Sequence, residues 1–344
     1  MNPTRLPEMS RRTFMAMIAG GLLAAPLAAG GQQAGKVYRV GYLGNIPPIT
    51  PEMKQHAAAW FQALREHGFV EGQNLVIERR YAEGRAERFA EFAAELVRNR
   101  VDVISVIGPQ AALAAARATK TIPIVFWGVG WPVEQGLVQS LAWPGGNVTG
   151  ATWSTGPEVV GKQLQLLKEI APKTARLGWL DSILASEDVA GKQLRLTAHA
   201  IEPMARTLGM ELHRFPVQQP EDFDAAFARI LESRSDAMGL LGDVLTYAAR
   251  KRIAEFANRN ALPSTYGMKD FVVSGGLLSY GADPVDMSRK VGTYVGRILR
   301  GSKPRDLPVE QPTKFELVIN LKTAKALGLT IPQSLLQRAD DVVQ

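Results

Sequence analysis

From Lys36 onward the chain alternates short β-rich apolar runs with stretches whose apolar residues recur every 3.6 positions. That alternation is the pattern of βαβ units, in which a helix crosses one face of a sheet between two parallel strands. Val37 to Leu43, Asn74 to Arg80, Val101 to Ile107 and Ile122 to Trp127 read as four strands. Between the first two, Met53, Ala57, Trp60, Phe61 and Leu64 fall on one face of a helix that ends near Gly68. Phe89, Phe92, Ala93, Leu96 and Val97 form a second buried stripe, and Gly108-Pro109 opens an alanine-rich helix from Gln110 to Thr119.

The turn formers Pro144-Gly145-Gly146-Asn147-Val148-Thr149-Gly150 then mark a change of direction. A similar series restarts beyond them: a helix around Val160 to Ile170, strands at Arg176 to Leu180, Met210 to Phe215 and Ala237 to Gly242, helices from Val189, around Phe223 and from Thr246 to Asn260, and a strand at Leu262 to Tyr266. Pro203 falls inside one of these helices and is expected to kink or end it. The tail, with a strand at Leu277 to Tyr280, a helix carrying Val291, Tyr294, Val295, Ile298 and Leu299, and a strand at Glu316 to Asn320, is only enough to complete the other two series. The expected architecture is therefore α/β, with two doubly wound parallel-sheet lobes and a ligand cleft between them. The first lobe takes residues 36–152 and 274–308, the second 153–273 and 309–342.

Residues 1–31 are read as an export signal and excluded from the fold. Ser10-Arg11-Arg12-Thr13-Phe14 precedes an apolar run from Met15 to Ala29 that is too short to span a bilayer. The arginine pair matches the twin-arginine type, although Ala16 stands where that motif often has Lys. Small residues at Ala29, Gly30 and Gly31 place the cut before Gln32, and with no cysteine in the chain there is neither a lipid anchor nor a disulfide. The expected product is free and periplasmic. The net charge of +7 falls to +5 once Arg5, Arg11, Arg12 and Glu8 are removed, and it is spread along the chain, which argues against nucleic acid as a partner.

The sequence assembles no catalytic constellation, so the chain is read as no enzyme, with no cofactor and no metal. Gly156-Pro157-Glu158-Val159-Val160-Gly161-Lys162 spells most of a phosphate loop, but Gln163 replaces the Ser or Thr that would hold magnesium. Gly128-Val129-Gly130 lacks the third glycine and the acidic partner of a dinucleotide site. His56, His67, His199 and His213 have no ligand spacing and read as structural or surface residues.

Pro144 to Gly150, Leu166-Leu167-Lys168-Glu169-Ile170, Gly275-Gly276-Leu277-Leu278-Ser279-Tyr280-Gly281, and above all Pro308 to Pro332 resemble the ABC transporter substrate-binding proteins of the type I periplasmic-binding fold that include tryptophan- and tyrosine-type receptors. The resemblance covers about Tyr38 to Val342. It implies a monomeric uptake receptor with three chain crossings between lobes, a small-molecule ligand, and an ABC permease as membrane partner. The ligand-sensing module of a signalling system is the alternative on the same fold.

Ligand-binding residues are expected at the carboxyl ends of the strands, where helix N-termini face the cleft. In the first lobe these are Tyr42, Asn45, Gly108, Gln110, Trp127 and Gly128, with the amides at Gly108 and after Pro109 placed to meet a carboxylate. In the second they are Asp181, Ser182, Asp243, Val244 and Tyr266. Asp243 or Asp181 could accept an ammonium, or simply cap the following helix. The resemblance further implies an aromatic or branched amino acid, or a related carboxylate, with its side chain held between Trp127 and Tyr266.

Overall fold

The computed structural model describes residues 36–153, 157–182, 201–242 and 244–344; for Pro157, Ser182 and Val244 it describes the backbone alone. Residues 1–31, read above as an export signal, most of the helix expected from Val189, and Asp243 lie outside the described residues. Among the described residues, no helix is long and apolar enough to cross a membrane.

The first sheet has five parallel strands in the order β2-β1-β3-β4-β5: β1 Tyr38–Gly44, β2 Leu75–Tyr81, β3 Val103–Ile107, β4 Ile124–Val129 and β5 Val148–Thr152. Its connecting helices are α1 Pro51–Glu66, α2 Arg88–Arg98 and α3 Pro109–Ala118. Pro starts α1 and α3 at the position where a missing N–H costs nothing, and Thr50 caps α1 by accepting from the Met53 amide. β5 is a correction. The turn cluster expected to break the chain at 144–150 runs straight into a fully buried edge strand, which pairs with β4 from Val148 onward.

The second sheet has seven strands in the order β12-β11-β10-β9-β8-β6-β7: β6 Arg176–Ser182, β7 Glu211–Val217, β8 Ala237–Leu240, β9 Ser264–Tyr266, β10 Leu278–Ala282, β11 Phe315–Asn320 and β12 Asp341–Val343. It is not wholly parallel as expected, because β11 runs antiparallel to β10 and β12 follows β11. The chain returns from the first lobe at Val309 to Lys314 and must enter the sheet from the opposite end. Helix α4 Pro157–Ile170 leads into this sheet, and 201–207 is helical through Pro203. The helix expected over 246–260 is two, α6 Val244–Ala248 and α7 Arg250–Arg259, after α5 Asp222–Glu232.

Two short connections decide which lobe each tail element joins. β10, expected with the first lobe, is hydrogen bonded between β9 and β11 in the second sheet. The chain then passes through Asp283, which caps α9 Pro284–Leu299 by accepting from the Val285 and Asp286 amides. Helix α9 packs along α1 and against β3, β4 and β5 of the first sheet. After α9, Glu310 bonds back to Gly150 and Thr152 before β11 begins in the second sheet. Each lobe has its own apolar core, and α8 Lys269–Val273 belongs to the second.

Candidate functional site

A pocket of about 120 Å³ lies between the carboxyl ends of the two sheets. The first lobe supplies Tyr42 from β1 and Asn45 just after it, Met53, His56 and Trp60 from α1, Gly108 and Pro109 after β3, and Trp127 and Gly128 at the end of β4. Trp153 on the first crossing, Tyr247 on α6 and Met268 before α8 complete it from the other side. Met53 and Trp153 pack against the second-lobe core, so the lobes touch across the cleft.

The walls are aromatic and form two groups of touching rings. Tyr42 meets Trp60 edge to face with ring centroids 5.5 Å apart, Trp127 meets Trp153 at 4.9 Å, and His56 lies 6.4 Å from Trp127. Such pairs prefer the edge-to-face geometry because the positive ring edge points at the negative face. The indole Nε1 atoms of Trp60 and Trp127 are buried with no hydrogen-bond partner. Gly128 is required where it stands: its φ of +73° lies in the left-handed region, and a Cβ there would sit 2.5 Å from Trp153 Nε1.

Of the residues expected from the sequence, Tyr42, Asn45, Gly108, Trp127 and Gly128 are brought together here. Asn45 also braces its own loop, since its Oδ1 accepts from the Gly84 amide at 2.7 Å. The Gly108 amide is not free, because it donates to the Trp127 carbonyl at 2.9 Å. The uncapped first turn of α3 remains at the pocket, while the Gln110 side chain is not in its wall.

The second-lobe expectations fare differently. Asp181 is buried and accepts from Arg214 Nε at 2.6 Å on the neighbouring edge strand β7, away from the pocket. Burial raises its pKa and the Arg214 bond opposes that rise. Tyr266 is wholly buried and stacks on Phe271 at 4.9 Å within the second core, so it does not face Trp127 across the cleft. Asp243 and the side chains of Ser182 and Val244 lie outside the described residues.

Sequence reasoning missed His56, Trp60, Trp153, Tyr247 and Met268 as pocket residues. His56 was legible, because it stands three residues after Met53 and four before Trp60 and so shares their buried face. Only the cleft makes that face matter. Asp270 on α8 is 1% exposed, accepts from the Tyr247 hydroxyl at 3.1 Å, and lies 4.0 Å from His56 Nε2. Burial lowers the pKa of His56, against the pull of Asp270; Lys269 adds to the lowering, and Asp283 and Glu52 oppose it. Burial also raises the pKa of Tyr247, with Asp270 reinforcing it.

Two α/β lobes closing on a pocket at their carboxyl ends define a ligand-binding clamp. Residues 50–343 match the family of ABC transporter substrate binding proteins, and the chain belongs to it. Its members bind their ligand without converting it. The chain is 28% identical, over 279 residues that make up 81% of it and 78% of the relative, to the tyrosine-binding protein of Clostridioides difficile (strain R20291). A conserved domain protein from Vibrio cholerae is similar in structure at a TM-score of 0.80 with 29% identity, covering 89% of this chain and 100% of that one. So is an ABC domain from Streptococcus pneumonia in complex with L-Trp, at a TM-score of 0.80 with 26% identity, covering 89% and 99%.

Proposed function

We propose that this chain is exported to the periplasm and serves an ABC uptake system there, closing on an amino acid with an aromatic side chain and presenting it to the permease. The observation that carries the ligand class is the pocket itself, walled by Tyr42, Trp60, Trp127, Trp153 and Tyr247 with few polar groups among them. Rings of this kind bury a flat apolar side chain, and the uncapped first turn of α3 offers amides and a positive dipole end to a carboxylate. The streptococcal relative holding L-Trp and the clostridial one named for tyrosine support the same reading.

Ligand-driven closure is the expected behaviour, because a ligand touching both lobes stabilises the state in which they meet. Calorimetry with L-tryptophan and L-tyrosine, paired with small-angle scattering, checks it. Binding should come with a smaller radius of gyration. An unchanged radius at saturation counts against the clamp, and no heat with either amino acid counts against the ligand class.

Binding is also expected to weaken in acid. With the lobes closed, burial holds the pKa of His56 below its ordinary value of 6.5, so closing favours the neutral ring. A pKa depressed on closure means that the full contribution is present above 6.5 and is lost progressively as the pH falls from there to the closed-state pKa. Below 6.5, affinity should drop by up to about tenfold per pH unit until the closed-state pKa is reached. Titrations at pH 7.5 and 5.5 read this directly, with His56→Gln expected to flatten the slope; equal affinities at the two pH values in the parent protein would remove His56 from the account.

A further inference from the structure

Two polar atoms at the cleft are buried without partners, and they come from opposite lobes: His56 lines the pocket, and Asp270 lies just behind its wall. Asp270 Oδ1 accepts from Tyr247, but Oδ2 is buried and unpaired. His56 Nε2 is also buried and unpaired. At 4.0 Å from Asp270 Oδ1 it is too far for a hydrogen bond and near enough for both groups to hold one small donor between them. Leaving a carboxylate oxygen unpaired in the interior is unfavourable, so such an atom calls for a donor that arrives with the ligand.

We infer that Asp270 and His56 together form the receptor for the ammonium group of the ligand. A primary ammonium carries three N–H donors and no acceptor. One donor can meet Asp270 Oδ2 and another the lone pair of His56 Nε2, provided the imidazole is neutral with its proton on Nδ1. Burial favours that neutral form. A ligand carboxylate is excluded by the Asp270 charge. Lys269, the adjacent cation, is committed to Glu316 at 2.9 Å, and Lys314 to Asp283 at 3.2 Å, so neither neutralises Asp270 by direct pairing in this arrangement.

The pair straddles the cleft, His56 on α1 of the first lobe and Asp270 on α8 of the second. An ammonium between them therefore ties the lobes together, whereas an aromatic ring in the first-lobe box alone would not. This inference rests on the amino-acid reading above and adds the groups that distinguish an amino acid from the same ligand without its amine.

The test compares L-tryptophan with 3-(indol-3-yl)propionate, which differ only in the ammonium, by calorimetry on the parent protein, Asp270→Asn, His56→Leu and Asp243→Asn. The parent should prefer the amino acid by about 100-fold or more, since a charged donor is matched only in that complex. Asp270→Asn should cut the preference to below about tenfold while leaving affinity for the propionate within about twofold. His56→Leu should reduce the preference and remove its pH dependence, which a purely structural role would leave in place. It also carries the test if Asp270→Asn fails to fold, as read by circular dichroism. A preference that survives Asp270→Asn and collapses in Asp243→Asn overturns the inference and leaves the amino-acid reading standing. A parent protein that binds the propionate as well as L-tryptophan overturns it too, and one that binds neither overturns both readings.

Discussion

Trp127→Ala is expected to weaken binding of L-tryptophan or L-tyrosine by about 30- to 150-fold. The indole stands at the end of β4 against Trp153, 4.9 Å between centroids, and lines the pocket beside His56 and Tyr42. A ligand ring settled against it buries apolar area and gains an aromatic pairing, together about 2–3 kcal/mol. Truncation removes both and frees Trp153 to move into the space. Because Trp127 is only half-buried, the ligand-free protein should remain folded at the temperature of the titration, and Trp127→Phe should recover part of the loss. Unchanged affinity in Trp127→Ala would place the ligand's side chain elsewhere in the cleft.

Gly281→Ala is expected to cost about 3 kcal/mol of folding stability or more, one of the larger effects available to a single methyl group. Gly281 lies on β10, and a Cβ there would overlap the carbonyl oxygen of Gly267, where the chain leaves β9. The obstacle is backbone and not the end of a flexible side chain, so the strand or the connection must shift. Gly267 cannot yield easily, because it is itself pressed against the Leu241 carbonyl. Denaturant unfolding reads the effect as a lowered midpoint at constant slope. A loss below about 1 kcal/mol would mean that the connection after β9 moves freely.

These residues also show where the sequence was sufficient. The period-2 and period-3.6 patterns located β1 to β4, α1 and α2, because each of those elements buries one face or both in a core that its own apolar residues specify. Brought to the carboxyl ends of parallel strands, Tyr42, Asn45, Gly108, Trp127 and Gly128 gather at one pocket for a topological reason that any βαβ lobe shares. Thr50-Pro51 and Asp283-Pro284 announce helix starts through capping chemistry that acts within a few residues.

The partnerships across the molecule could not be read this way. Whether Tyr266 points into the cleft or the core depends on side-chain alternation in a three-residue strand, and that register was decided by Phe271 stacking from a later helix. Asp181 and Asp270 are both buried acids; Arg214 on a neighbouring strand claims the first, while Tyr247 and His56 meet the second only because the lobes come together. Val148 to Thr152 is composed like a turn yet forms an edge strand, since β4 offers an open row of backbone donors and acceptors that local composition does not record. The sequence by itself determined the two βα series and, through the strand ends, the pocket residues Tyr42, Asn45, Gly108, Trp127 and Gly128. The second-lobe half of the site was decided by tertiary structure, because burial and pairing between residues more than 200 positions apart are properties of the closed chain.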